Sequence, residues 1–114
     1  MSVIQIESVD HFKKEILEHN LSVIDFRASR CGPCRMLPII EQLAEKDLAK
    51  IAKVNVEEHQ DLAAAFQVSS IPVVYFVKNG QVVDRIIGVN PATVYEQKIA
   101  EHSASAEETH KIAA

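Results

Sequence analysis

At 114 residues the chain has room for one domain, and its 47% hydrophobic content is enough for a core without staples. A net charge of −4 leaves no cationic footprint for nucleic acid or an anionic membrane surface, and no apolar run reaches the ~18 residues of a spanning helix. The first residues, Met1-Ser2-Val3-Ile4-Gln5-Ile6-Glu7, lack the basic start and long apolar core of a secretory signal, which predicts a cytosolic protein.

Residues 2–6 read as a short strand. Ser8 can cap a helix whose apolar side is Val9, Phe12, Ile16 and Leu17, spaced on one face of a 3.6-residue period. Asn20-Leu21 ends that helix, and Val23-Ile24-Asp25-Phe26 forms a second strand. After a turn at Cys31-Gly32-Pro33-Cys34 comes a long helix that points Leu37, Ile40, Leu43 and Ala44 inward. Residues 51–56 read as a third strand, followed by a helix through Leu62, Ala65 and Phe66. Two consecutive strand–helix–strand units with crossovers of this length imply parallel pairing, with helices on the sheet faces. Val73-Val74-Tyr75-Phe76-Val77 is apolar throughout, as a central strand buried on both sides must be. Asn79-Gly80 is a two-residue hairpin signal that folds residues 81–87 back antiparallel, and Asp84-Arg85 suits an edge strand. Asn90-Pro91 reads as a cap and first-turn proline for a last helix with Ala92, Tyr95 and Ile99 inward. Residues 1–102 therefore form the domain in the order βαβαβαββα. Residues 103–114 are small and polar and read as a frayed tail.

Cys31 and Cys34 are the only cysteines. A bridge across so short a loop adds little stability, so a catalytic or metal-binding role is favoured over a structural one. Zinc needs two further ligands, and His11, His19, His59, His102 and His110 lack the H-x₃₋₅-H spacing; they read as solvated surface residues. With Cys31 at the helix N-cap, its thiolate can accept the Cys34 N–H and sits at the positive end of the helix dipole. Pro33 loses nothing in the first turn, where its missing N–H has no helical partner. At a pKa near 8.5 only about 3% of a thiol is ionised at pH 7, and a shift to about 7 ionises half for roughly 2 kcal/mol. Cys31 is then the nucleophile that attacks a substrate disulfide, and Cys34 resolves the mixed disulfide. Asp25 is a carboxylate in an apolar strand, where burying a charge is costly unless it is used; a strand-edge aspartate facing solvent also fits.

These stretches, with Pro38-Ile39-Ile40, Ala52-Lys53-Val54-Asn55, Ile71-Pro72, Lys78-Asn79-Gly80 and Gly88, resemble the thioredoxin family over residues 2–102. The resemblance implies an α/β thioredoxin fold with a central mixed five-stranded sheet and helices on both faces. It implies a protein-disulfide reductase that binds no cofactor and draws electrons from NADPH through a thioredoxin reductase. Disulfide-bearing proteins would be the substrates, and the chain would be a monomer. It makes Asp25 the buried acid that deprotonates Cys34, and Lys53 its cationic partner. Ile71 and Pro72 become a cis-proline loop whose backbone pairs with substrate like an added strand, and Gly88 the other wall of that groove. Lys53 and Gly88 also fit a plain surface lysine and a turn glycine.

The departures lie beside the motif. Family members usually carry tryptophan where this chain has Arg27 and Arg30, and the chain has none. Arg30 and Arg35 make the rim of the site cationic, which predicts a more acidic Cys31 thiol and a more oxidising couple. Arg27, two residues from Asp25 on the same strand face, can hold that acid ionised; arginines merely tolerated on an exposed rim fit equally. Pro38 comes one residue earlier than is usual, which predicts an earlier helix kink and a Cys34 carbonyl without its helical bond. The 44–50 loop looks short. Two other readings stand beside the reductase: an oxidant or isomerase using the same chemistry, and a non-catalytic thioredoxin-like binding module.

Overall fold

A computed structural model describes residues 3–17, 20–32, 40, 42 and 49–113, and the side chains of these other than 17 and 104–113. Five strands form one sheet in the order β1-β3-β2-β4-β5, where β1 is Ile4–Gln5, β2 Leu21–Arg27, β3 Lys50–Asn55, β4 Val73–Lys78 and β5 Gln81–Ile87. β1 and β2 both pair in parallel with β3, which lies between them, so the strands of the two predicted units run parallel although the first two are not neighbours. β4 runs antiparallel to both β2 and β5, so the sheet is mixed. At the hairpin Asn79 and Gly80 take φ of 51° and 82°, positive at both central positions as a two-residue turn of this hand requires.

Alternation along the strands sends side chains to two cores. Ile24 and Phe26 of β2, Ala52 and Val54 of β3, and Val73, Tyr75 and Val77 of β4 pack with Phe12, Ile16 and Leu62 on one face. Val23, Ile51, Val74 and Phe76 pack with Ile40, Tyr95 and Ile99 on the other. Helices thus cover both faces, and β4 is buried from Val73 through Val77 because it has sheet on both sides. β5, at the edge, leaves Val82, Val83 and Ile87 exposed.

The first helix starts as the sequence predicts: Ser8 is extended at φ −162°, and its Oγ accepts the His11 N–H at 3.0 Å. The His11 ring in turn accepts the Glu7 N–H at 3.1 Å, so it closes the cap and is not merely a solvated surface residue. The regular helix spans only Val9–Phe12 and widens into a π turn over Lys13–Leu17. Phe12 and Ile16 stay buried through that change, and the buried Ser22 Oγ donates to the Ile16 carbonyl at 3.4 Å. Of the Gln60–Ala65 helix, Leu62 is buried and Phe66 just beyond it half-buried, while Ala65 is exposed rather than inward.

The C-terminal helix differs from expectation at its start. It begins at Ala92, and Asn90 turns its amide to the Ile87 and Gly88 carbonyls instead of capping. It runs to Ala113. Alanines and glutamates, among the strongest helix formers, make up much of residues 104–108 and carry the backbone on. The same helix is fastened to the sheet edge through Asp84. That carboxylate lies 2.9 Å from Lys98 Nζ and 3.1 Å from His102 Nε2, and Lys78 Nζ donates to the His102 carbonyl. Burial pulls the Asp84 pKa up, but hydrogen bonds from Lys98, His102 and the Arg85 N–H outweigh it and hold the carboxyl below its usual range.

Candidate active site

Sequence register brings the predicted site residues to one end of the sheet. β2 ends at Arg27, and Phe26 pairs with Val73 of β4, so Pro72 enters the sheet beside the β2 terminus. Val73 pairs in turn with Ile87, which sets Gly88 beside Pro72, and the Gly88 N–H donates to the Pro72 carbonyl at 2.9 Å. The Ile71–Pro72 peptide is cis. Gly88 sits at φ +86°, a conformation other residues adopt only under strain, and an added Cβ there would meet open space rather than packed atoms. Glycine is therefore required by the backbone rather than by packing.

Cys31 follows β2 by four residues on a loop that the third strand holds in place. Val56 N–H donates to the Arg27 carbonyl at 2.8 Å, Ser29 N–H to Glu57 Oε1 at 2.9 Å, and Cys31 N–H to the Ala28 carbonyl at 3.2 Å. Asn55 ties the two ends together: its Oδ1 accepts the Glu57 N–H at 2.8 Å, and its Nδ2 donates to Ser29 Oγ at 3.3 Å. Cys31 is disulfide-bonded and 9% exposed, and Cys34 is the one other cysteine in the sequence. Gly32 and Arg30 on either side are exposed. Pro33, Cys34, Arg35 and Pro38 lie outside the described residues, as does most of the 44–50 loop, and with them the predicted kink and the Cys34 carbonyl. Of the helix that follows the motif, Ile40 and Gln42 are described; both are helical, and Ile40 is fully buried.

Asp25 is fully buried, on the same sheet face as Ile40 and Tyr95. Its cross-strand partners are Lys53 on β3 and Val74 on β4. Registered residues of parallel strands point the same way, so Lys53 shares the carboxylate's face. Arg27, two residues on, brings Nη1 to 3.7 Å from Asp25 Oδ2. The solvent-facing aspartate at a strand edge is ruled out, and the rim arginine is more than tolerated.

Tyr95 has a part in this arrangement that the sequence reading missed. Its ring is fully buried, and its hydroxyl donates to the Gly88 carbonyl at 3.3 Å, joining the C-terminal helix to the glycine that bonds Pro72. Burial pushes the phenol above its ordinary pKa and the Asp25 charge adds to that, against hydrogen bonds with Asn90. The phenol therefore stays neutral. A tyrosine among inward-facing positions is itself a signal, because a buried hydroxyl must find an acceptor.

A disulfide-bonded cysteine just past β2, a buried carboxylate on that strand and a cis-proline beside the strand end lie together at one end of the sheet. Residues 3–101 match the thioredoxin family. The chain belongs to the thioredoxin family. It is 45% identical over 96 residues to a thioredoxin of Chlorobaculum thiosulfatiphilum, covering 81% of this chain and 89% of that one. It is 37% identical over 106 residues to thioredoxin 1 of Synechococcus elongatus, covering 90% and 99%. Among solved structures, thioredoxin from Malassezia sympodialis superposes with a TM-score of 0.81 at 35% identity, over 90% of this chain and 91% of that one. A variant thioredoxin of Halobacterium salinarum gives 0.84 at 28%, over 89% and 90%. Family membership makes the protein a thiol–disulfide oxidoreductase whose substrates are disulfide-bearing proteins.

Proposed function

We propose that this thioredoxin works in the reducing direction, through Cys31 as nucleophile and Cys34 as resolving thiol, with Asp25 as the buried base. The observation that carries the reading is Cys31 four residues beyond β2, followed by Gly32-Pro33-Cys34 and preceded on that strand by a fully buried Asp25. Reduced Cys31 attacks a substrate disulfide and releases one substrate thiol. Asp25 then takes the Cys34 proton, the new thiolate bonds to Cys31 sulfur, and the second substrate thiol leaves. Two electrons pass from the dithiol to the substrate, and the protein ends oxidised. Ile71, Pro72 and Gly88 receive the substrate segment through backbone contacts, and Lys53 accompanies Asp25. NADPH restores the dithiol through a thioredoxin reductase, with no cofactor bound to the chain, which acts as a monomer in the cytoplasm.

Equilibration with glutathione buffers, with the dithiol fraction read by alkylation and mass, tests the direction. A reductant is expected to settle near about −270 mV. The exposed Arg30 beside Cys31 favours a second reading, in which a stabilised thiolate makes the couple more oxidising. A value near or above about −180 mV would establish that reading and overturn the first.

A further inference from the structure

Asp25 is enclosed unevenly. On its own strand Arg27 Nη1 stands 3.7 Å from Oδ2. From β3 comes Lys53, its register partner, and from β4 the apolar Val74. From the C-terminal helix comes Tyr95, whose phenol feels the Asp25 charge. A cavity of about 350 Å³ opens next to this group, lined by Gln5, Arg27, Ala28, Ser29, Lys53 and Asn55. Arg27 and Lys53 line it, and the fully buried Asp25 does not. The Arg27 side chain is 26% exposed and that of Asp25 is not exposed at all, so Arg27 reaches from water to the buried acid.

We propose that Arg27 is a positioning residue for disulfide exchange, which keeps Asp25 in the ionised form that accepts the Cys34 proton. The proposal rests on the function above, in which the Cys34 S–H proton passes to Asp25. The freed sulfur electron pair forms the Cys31–Cys34 bond, and the pair from the broken Cys31–substrate bond leaves on the substrate thiolate, which takes its proton from water. Only ionised Asp25 can accept that proton, so the step fails on the acid side of the Asp25 titration. A cation within about 4–6 Å lowers a carboxyl pKa by about one to three units. Uncharged side chains at position 27 can exclude water, but they cannot supply that charge. The Asp25 midpoint therefore rises when Arg27 is neutralised, and the acid limb of the exchange rate rises with it.

The experiment follows the Asp25 side-chain carboxyl by ¹³C NMR through a pH titration of the reduced protein. Alongside it, the rate of one turnover with a protein disulfide is measured across the same pH range. In Arg27→Gln both the carboxyl midpoint and the acid limb are expected to move up by about one to two units, with the alkaline plateau little changed. Arg27→Lys, which keeps a cation, is expected to restore most of both shifts, and the uncharged Arg27→Met takes the place of Arg27→Gln if the glutamine variant does not fold. An unmoved Asp25 midpoint overturns the proposal, and so does a moved midpoint with an unmoved rate limb. Failure of the wild type to reduce any disulfide at any pH contradicts the function beneath it, while the carboxyl titration still decides whether Arg27 controls Asp25.

Discussion

Cys31→Ser is expected to lower the reduction of insulin disulfides to the background rate of dithiothreitol, a loss on the order of a thousandfold or more. The substitution is nearly isosteric, so it removes the nucleophile and leaves the loop that holds it. That loop is fastened by main-chain and Asn55, Ser29 and Glu57 contacts, none of which uses the Cys31 sulfur. A serine hydroxyl stays protonated at neutral pH, and only a thiolate attacks a disulfide at a useful rate. The fold is expected to survive, with unchanged circular dichroism, because the bridge closes too short a loop to stabilise much. Residual acceleration above the dithiothreitol background would place the nucleophile elsewhere.

Phe26→Ala is expected to have the largest effect on stability. Phe26 lies between Asp25 and Arg27 and points to the opposite face, so it anchors the strand that aims both. Its ring is fully buried, 5.1 Å from Phe66 and 5.5 Å from Tyr75, and Phe66 makes an edge contact with Phe12 at 5.6 Å. The Tyr75 hydroxyl donates to the Phe66 carbonyl at 2.8 Å, which fixes the cluster in place. Truncating such a ring costs about 3–5 kcal/mol, against a total of about 5–15 for a domain of this kind. Urea denaturation should show the loss as a large fall in midpoint, and Phe26→Leu should lose about 1.5 kcal/mol or less. A loss for Phe26→Ala below about 1 kcal/mol would mean that β2 is not held from this face.

Much of this was legible in the chain. Strand periods, the Asn79-Gly80 turn and the apolar run at Val73 predict the strands and the edge position of β5, because each depends on local chemistry. Register then follows from burial: a one-residue slip of β2 would bring Phe26 to the face of Asp25 and expose its core partners. The π turn at Lys13–Leu17 was not legible, since Phe12 and Ile16 remain on the buried side under either winding. At the site, Cys31 and Asp25 announce themselves as reactive types in unusual settings. Tyr95, Asn55, Ser29 and Glu57 do not, because their roles lie in contacts between distant elements: Tyr95 with Gly88, and Glu57 with Ser29. Arg27 was legible as a residue two from Asp25. That it also lines the cavity beside the acid needed the sheet.

In the proposed exchange Cys31 attacks disulfides of other proteins and Cys34 completes the reaction. Cys34→Ser leaves the first step and removes the second. Reduced Cys34→Ser, incubated with a disulfide-bearing protein and analysed by mass under non-reducing conditions, should accumulate a covalent adduct through Cys31. Dithiothreitol should release that adduct, and the Cys31→Ser/Cys34→Ser double variant should form none. The absence of any adduct with Cys34→Ser, or its persistence in the double variant, would show that Cys31 is not the attacking thiol.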